Sequence, residues 1–229
     1  MLKEKGITDI FFDLDHTLWD FDKNSALAFH KVFETHRLDV DVKEFLTHYE
    51  PINLDYWKLY RDERVTKEAL RRGRLNDTFA RLKMKHSTEV IDALAISYID
   101  FLPLNNFLFP GTMEILDYLK PQYNLHIITN GFDEVQHKKL VNSKIDGYFK
   151  TITNSEMVGV KKPNPRIFHA AMETAATTPD RSVMVGDNLE ADIHGARAVG
   201  MQAIYFGAEA LAEESILSIQ ELQEIKRYL

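Results

Sequence analysis

The chain has 229 residues and an ordinary globular composition, with 45% hydrophobic and 28% charged residues. That balance excludes disordered, collagenous and disulfide-scaffold proteins, and the length suits one large domain or a domain with an inserted lobe. Because no cysteine occurs, disulfides, thiolate zinc sites and cysteine nucleophiles are excluded as well. A net charge of −7 argues against a nucleic acid polymer as partner, since polyanion binders usually carry a basic face.

The sequence also predicts a cytoplasmic protein with no membrane partner. Its first apolar run is cut off by Asp13 and Asp15, which is not the pattern of a signal-peptide core. No later stretch approaches the roughly 20 consecutive apolar residues that a membrane span needs.

The first predicted element is a buried parallel strand between Ile7 and Leu14, which ends at acidic residues. From Phe21 to about Leu104 the apolar residues recur at helical spacing, and about four helices are predicted there. Turn residues near Pro103 and Pro110-Gly111 end this helical block. The sequence therefore predicts a core made of residues 1–18 and 105–229, interrupted by a helical insert at residues 19–104.

Beyond the insert, strands and helices alternate. The candidate strands are Leu125–Thr129, Phe149–Thr153, Ser182–Gly186 and Gln202–Phe206, and the candidate helices are Thr112–Leu119, Asp133–Asn142, Pro165–Thr174, Leu189–Val199 and Ser218–Tyr228. Such alternation predicts a parallel sheet, and right-handed crossovers place helices on both of its faces. The predicted fold class is α/β, a Rossmann-like doubly wound parallel sheet with an inserted all-helical lobe.

Ligands of open α/β sheets bind at the carboxyl ends of the strands, so the polar residues there are the candidates for chemistry. The first group is Asp13-Leu14-Asp15-His16-Thr17. Its two carboxylates, two residues apart, can supply a nucleophile or metal ligand and a neighbouring acid or base. The second group is Thr129-Asn130-Gly131, in which a hydroxyl, an amide and accessible backbone N–H groups suit an anion such as phosphate.

Two further groups follow later strands. Lys162 stands directly before Pro163, which makes it a pre-organised positive charge. Asp187 lies at a strand tip and Asp192 about one helical turn later, and such a pair can hold a hard divalent cation. Each group alone also has a structural explanation as an Asx turn, a helix cap or a solvated lysine. Their order at four successive strand ends favours one shared site.

The ordered set Asp13-x-Asp15-x-Thr17, Thr129, Lys162-Pro163 and Gly186-Asp187-x₄-Asp192 resembles the four motifs of the haloacid dehalogenase superfamily of phosphohydrolases. The resemblance spans the whole chain. It implies a Rossmann-like core with sheet order 5-4-1-2-3 and a helical cap inserted just after the first strand. Four segments are more narrowly similar to the house-cleaning pyrimidine 5′-nucleotidases, namely residues 11–21, 53–57, 70–75 and 127–132.

The resemblance implies a phosphomonoester hydrolase that forms an aspartyl phosphate on Asp13. It assigns Asp15 as general acid and then general base, and it implies Mg²⁺ held by the carboxylates of Asp13 and Asp187 and the backbone carbonyl of Asp15. Asp192 would orient Lys162 or a metal-bound water. The residues expected to contact the phosphoryl group or the substrate are Thr17, Thr129, Asn130, Gly131 and Lys162.

The expected substrate is a small-molecule phosphate ester, with pyrimidine nucleoside 5′-monophosphates as the first choice and the protein a monomer or homodimer. A sugar-phosphate or phosphoglycolate-type phosphatase and a β-phosphoglucomutase-like isomerase remain open. A non-catalytic phosphometabolite-binding protein is a further alternative. Dehalogenation is disfavoured, because dehalogenases need no leaving-group acid and lack the aspartate that Asp15 matches.

The helical cap is expected to carry the substrate specificity. Its candidate residues, with those of its entry segment, are Trp19, Phe21, Asn53, Tyr56, Trp57, Arg61, Arg64, Arg71, Arg72 and Arg74. The alternative is that the aromatic residues form the cap's core and the arginines a solvated face, paired with Asp62, Glu63 and Glu68.

Overall fold

The computed structural model describes residues 2–207 and 215–229. The chain divides into two compact units, one made of Met1–Phe21 and Asn106–Leu229 and the other of Asp22–Asn105. The junctions expected from the sequence lie within three residues of these.

The first unit is built on a parallel sheet, which within the described ranges has the strand order β3-β2-β1-β4-β5-β6. The strands are β1 Asp9–Phe12, β2 Asn124–Thr129, β3 Phe149–Asn154, β4 Ser182–Gly186, β5 Gln202–Phe206 and β6 Leu217–Ile219. The predicted order 5-4-1-2-3 is confirmed, with β6 added beyond β5 at one edge. Strand β1 is central, because Phe12 pairs with Ile127 of β2 on one side and with Val185 of β4 on the other.

The α-helices are numbered through both units. They are α1 Phe21–His36, α2 Val42–Arg61, α3 Lys67–Arg81, α4 Thr88–Phe101, α5 Thr112–Leu119, α6 Asp133–Asn142, α7 Ser155–Val158, α8 Pro165–Ala175 and α9 Gly195–Ala198. The second unit contains α1 to α4, apart from the first residue of α1. None of the helices described in either unit combines the length and the apolar composition that crossing a membrane requires.

Two predicted helices differ from the structure. The segment expected to be one helix from Leu189 to Val199 is a π-helix over Leu189–His194 that continues into α9. The helix expected at Ser218–Tyr228 is wrong at its start, because Ser218 lies in β6 and a 3₁₀-helix occupies Leu222–Arg227. Leu217 and Ile219 are less exposed than Ser218 between them, which is the alternation of a strand. Over only three residues, however, an apolar pattern fits a helix as well as a strand, so the sequence does not separate the two.

Aromatic side chains fill the interior of the second unit. The ring of Phe29 on α1 lies 4.7 Å from that of Phe45, 4.6 Å from that of Tyr49 and 4.3 Å from that of Tyr98, measured between centroids. Phe45 and Tyr49 belong to α2 and Tyr98 to α4, so these contacts join three helices. The burial of these rings supplies the tertiary packing on which helices depend for most of their stability.

A buried polar cluster lies at the amino ends of the strands. Asp9 Oδ1 accepts hydrogen bonds from His126 Nε2 at 3.1 Å and Asn124 Nδ2 at 2.9 Å, and its Oδ2 accepts from Thr177 Oγ1 at 2.8 Å. The other ring nitrogen of His126 contacts Thr151 Oγ1 at 2.8 Å. Burial lowers the pKa of His126, and the bond to Asp9 only partly opposes that effect. The imidazole is therefore neutral near pH 7 and holds β1, β2 and β3 together.

This cluster makes stability depend on pH in a defined direction. Since the folded pKa of His126 lies below the unfolded value, the stability it contributes is complete above about pH 6.5 and decreases as the pH falls. We expect His126→Gln to lower the free energy of unfolding at pH 7.5 by about 1–3 kcal/mol, through the lost bonds and packing. The wild-type protein should lose more stability than the variant between pH 7.5 and pH 5. Urea unfolding at both pH values measures this difference, and equal losses would contradict the assignment.

The two segments that join the sheet unit to the helical insert are hydrogen-bonded to each other. Asp20 N donates to Phe107 O at 3.1 Å, and Phe109 N donates to Leu18 O at 2.9 Å. Trp19 and Leu108 form an antiparallel bridge between these two bonds. The chain therefore leaves the sheet unit and re-enters it through one short paired ribbon.

Candidate active site

The carboxyl ends of three adjacent strands bring the predicted site residues together. Asp13 follows β1, Thr129 ends β2 and Asp187 follows β4, and β1 lies between β2 and β4 in the sheet. Parallel strands end at the same edge of a sheet, so residues more than a hundred positions apart in sequence become neighbours.

Lys162 is the central cation of this group. Its ammonium nitrogen lies 2.6 Å from Asp13 Oδ1, 2.7 Å from Asp192 Oδ1 and 2.8 Å from the carbonyl oxygen of Ile128. The side chain is only 2% exposed. Burial alone would lower the pKa of Lys162, but the carboxylates of Asp13 and Asp192 outweigh burial and raise that pKa above its usual value. Lys162 is thus a fixed, permanently charged group beside Asp13.

Asn130 holds the backbone on which Lys162 stands. Its Oδ1 accepts from Lys162 N at 2.7 Å, and its Nδ2 donates to Lys162 O at 3.0 Å. The next helix, α8, begins as the sequence predicts, with Pro165 in its first turn and Asn164 Oδ1 accepting from Arg166 N at 3.0 Å. The Asn130 side chain therefore positions the lysine and does not point a free amide at an anion.

The segment after β4 places two aspartates at the site. Asn188 caps the π-helix, since its Oδ1 accepts from Ala191 N at 2.9 Å and its own N–H donates to Asp192 Oδ2 at 3.1 Å. Asp187 Oδ1 accepts a long bond from Thr17 Oγ1 at 3.3 Å. Gly186 is required here, because a Cβ at that position would lie 2.3 Å from Asp192 Oδ2. The π-helix turns Asp192 back toward the strand end, a use of this geometry common at functional sites.

Three carboxylates converge beside the lysine. Asp13, Asp187 and Asp192 each offer an oxygen, and these oxygens all lie within 4.8 Å of one another. Burial raises the pKa of Asp13 well above its usual value, aided by the negative charges of Asp192 and Asp187, although Lys162 opposes this. Burial and the charge of Asp192 likewise raise the pKa of Asp187 to about 7. Such a cluster of hard oxygen donors fits a divalent cation, which would relieve the repulsion.

Asp15 follows Asp13 by two residues, and its carboxylate is held by side chains of helix α6. Lys139 Nζ lies 2.5 Å from Asp15 Oδ1, and Gln136 Nε2 donates to Asp15 Oδ2 at 2.9 Å. Gln136 Nε2 also donates to Thr129 Oγ1 at 2.8 Å, and that oxygen accepts from Gly131 N at 3.1 Å. Gln136 and Lys139 are not among the site residues predicted from the sequence. The available signal was two polar residues on the inward face of α6, beside the buried Val135 and Leu140.

The residues predicted to carry the substrate specificity of the cap fall into different environments. Arg74 is buried, donates to Asn53 Oδ1 at 2.8 Å and lies over the Tyr98 ring at 5.1 Å, so it is not on a solvated face. Arg72 is half exposed and pairs with Asp92 at 2.7 Å instead of the acidic residues expected from the sequence. Tyr56 donates to Asp77 at 2.8 Å. Trp19 and Phe21 belong to the first unit.

Residues 10–206 match the family model of haloacid dehalogenase-like hydrolases. The chain belongs to this family. Family membership agrees with the resemblance seen in the sequence motifs and makes the protein a hydrolase-type enzyme.

Similarity to known proteins extends over nearly the whole chain. The pyrimidine 5′-nucleotidase YjjG of Escherichia coli is 32% identical over 228 residues, covering 94% of this chain and 96% of that protein. A glyceraldehyde 3-phosphate phosphatase of Pyrococcus furiosus is 30% identical over 226 residues, covering 91% and 84%. The magnesium-bound structure of the HAD-hydrolase YfnB from Bacillus subtilis superposes with a TM-score of 0.86 at 24% identity, over 96% of this chain and 97% of that one. The sequence relatives support a phosphatase, and the structure supports the shared fold.

Proposed function

We propose that this protein is a Mg²⁺-dependent phosphomonoesterase that works through an aspartyl phosphate on Asp13 and prefers pyrimidine nucleoside 5′-monophosphates. The observation that carries the proposal is the buried ion pair between Asp13 and Lys162, with Asp15 two residues away on the same strand end. In this assignment the first unit is the catalytic core and the second is the cap. The protein would act on small-molecule esters in the cytoplasm, as a monomer or homodimer.

Each step has a residue suited to it. Asp13 attacks phosphorus as the ester P–O bond breaks, and Asp15 gives its proton to the departing oxygen. Lys162 and the hydroxyl of Thr129 hold phosphoryl oxygens as charge moves onto them. In the second half-reaction Asp15 takes a proton from the water that cleaves the aspartyl phosphate, which regenerates Asp13 and releases inorganic phosphate.

The carboxylates of Asp13 and Asp187, with the backbone carbonyl of Asp15, would hold Mg²⁺. When bound, the cation neutralises charge on the transferred phosphoryl group. Asp192 has both oxygens engaged, by Lys162 at 2.7 Å and by Asn188 N at 3.1 Å, so its part is to orient the lysine. Thr17 contacts Asp187 and helps fix that ligand.

A second substrate class has support of its own, because the relative from Pyrococcus furiosus is named for glyceraldehyde 3-phosphate. The core residues serve any phosphate monoester equally, since they contact only the phosphoryl group and the leaving oxygen. Specificity must then come from residues outside the strand ends.

Phosphate release with Mg²⁺ across a substrate panel tests the proposal. The panel is UMP, dUMP, dTMP, AMP, glyceraldehyde 3-phosphate, phosphoglycolate and β-glucose 1-phosphate. We expect kcat/KM to be highest for the three pyrimidine nucleotides, by about tenfold or more over AMP, the range that a few contacts to a base provide. A maximum at glyceraldehyde 3-phosphate would instead establish the second class. Conversion of the sugar phosphate to an isomer without phosphate release would replace hydrolysis by mutase activity.

A further inference from the structure

Helix α6 engages both oxygens of the Asp15 carboxylate. The ammonium of Lys139 lies 2.5 Å from Oδ1, and the side-chain amide of Gln136 donates to Oδ2 at 2.9 Å. The two donors are three residues apart and therefore lie on the same face of the helix. Held at both oxygens, the carboxylate has one orientation, although its side chain is 21% exposed.

Lys139 is itself fixed by its surroundings. Its side chain is 2% exposed, and its ammonium lies 4.2 Å from the ring centroid of Trp19 and 5.2 Å from that of Phe21. A cation over aromatic faces is stabilised electrostatically, and more strongly when water is excluded. Trp19 is fully buried, so the cation meets a rigid surface. Lys139 is thus a cation whose position the fold determines.

Gln136 joins Asp15 to the end of the neighbouring strand. The two hydrogens of its Nε2 are directed to Asp15 Oδ2 at 2.9 Å and to Thr129 Oγ1 at 2.8 Å. The side chain is 1% exposed and passes so close to Gly131 that a Cβ there would lie 1.7 Å from Nε2. Only glycine at position 131 leaves room for this bridge. Gly131 therefore serves the placement of Gln136, a role beyond the anion contact that its sequence context suggests.

We propose that Gln136 and Lys139 are positioning residues that aim the Asp15 carboxylate at the leaving oxygen and at the hydrolytic water. The inference rests on the proposed function, since it concerns how the acid–base group of that reaction is held. Proton transfer requires a group within hydrogen-bond reach and in the right direction, and bonds to both carboxylate oxygens restrict the rotation of Asp15. The two residues act through Asp15 and are assigned no contact with substrate.

The dependence on the leaving group tests this role. The leaving group of UMP needs a proton, whereas p-nitrophenolate leaves without one. We expect Lys139→Met and Gln136→Met each to lower the single-turnover rate of phosphoryl transfer from UMP by about 10–100-fold. This is less than the roughly 10²–10⁴-fold that general acid–base catalysis supplies, because Asp15 itself remains in both variants. The pre-steady-state burst of p-nitrophenolate from p-nitrophenyl phosphate should stay within about threefold of wild type. Lys138→Met, an exposed neighbour on the same helix, is the matched control and should change neither rate.

A double-mutant cycle with Asp15→Asn completes the test. If the two residues act through Asp15, adding Lys139→Met or Gln136→Met to Asp15→Asn should cost less than about threefold more. Three results would overturn the inference while the proposed function stands. They are an equal loss of rate with UMP and with p-nitrophenyl phosphate, additive losses of rate in the double-mutant cycle, and a UMP rate that neither variant changes. Absence of phosphate release from every ester by the wild-type enzyme would overturn the proposed function, and the inference with it.

Discussion

Replacing Asp13 with Asn should lower kcat for phosphomonoester hydrolysis by about 10⁴-fold or more, because loss of a covalent nucleophile has effects of that size in other enzymes. The fold should survive, since Lys162 keeps its ion pair with Asp192 at 2.7 Å and its bond to the Ile128 carbonyl. The pKa of Asp13 is raised by burial and by neighbouring carboxylates, so the ionised group is unfavourable in the metal-free protein. The melting temperature of Asp13→Asn without Mg²⁺ should therefore be no lower than that of wild type.

The matched control for this variant is Asp180→Asn, an exposed aspartate that precedes β4 at the opposite end of the strand. Turnover of the best ester in the panel and thermal unfolding are measured for both variants. Rapid-quench trapping with a radiolabelled ester should give labelled wild-type protein and unlabelled Asp13→Asn. Turnover within tenfold of wild type in Asp13→Asn would remove the covalent mechanism.

Removing Mg²⁺ with a chelator should abolish turnover, and adding it should stabilise the fold. A ligand at about 100 times its dissociation constant adds about 2.7 kcal/mol to the free energy of unfolding. Asp187→Asn should lose most of this stabilisation, because it removes a negatively charged ligand from the carboxylate cluster. Thermal unfolding with and without Mg²⁺ measures the effect for wild type, Asp187→Asn and Asp180→Asn. Equal stabilisation in all three would place the cation elsewhere.

The stabilisation of the fold by Mg²⁺ is expected to depend on pH. Burial raises the pKa of Asp187 to about 7, so below that pH a proton occupies the carboxyl group in the metal-free protein. The cation must displace this proton, and its apparent affinity should fall by up to about tenfold per pH unit below pH 7. Mg²⁺ should thus raise the melting temperature more at pH 8 than at pH 6 at the same concentration.

The fold was predictable where burial is continuous. Strands β1 and β4 are buried at every position, and their apolar residues 10–12 and 183–185 identify them without a known relative. Strand β6 is three residues long and at the edge of the sheet, so its pattern carries too little information. The π-helix after Asn188 was also missed, because sequence periodicity does not separate a π-turn from an α-turn over six residues.

The candidate site was predictable as a set of residues but not as a set of contacts. The sequence predicts that the amide of Asn130, beside a strand end, contacts an anion, yet both polar atoms of that amide bind the backbone of Lys162. Residue type indicates what a side chain can bind, and only the structure shows which partner is near enough. Gln136 and Lys139 were missed for a related reason, since polar residues in a short helix are usually solvated.

The paired ribbon of Leu18–Asp20 with Phe107–Phe109 has a consequence for how such a protein diversifies. Backbone hydrogen bonds join the two segments that flank the insert. The 84 residues from Asp22 to Asn105 therefore form a loop whose two ends are held together. The entropy of closing a loop grows only slowly with its length, and the ribbon belongs to the sheet unit whatever the loop contains. Helices of other lengths and sequences can therefore replace the insert while the strand ends that carry the carboxylates and the lysine keep their geometry.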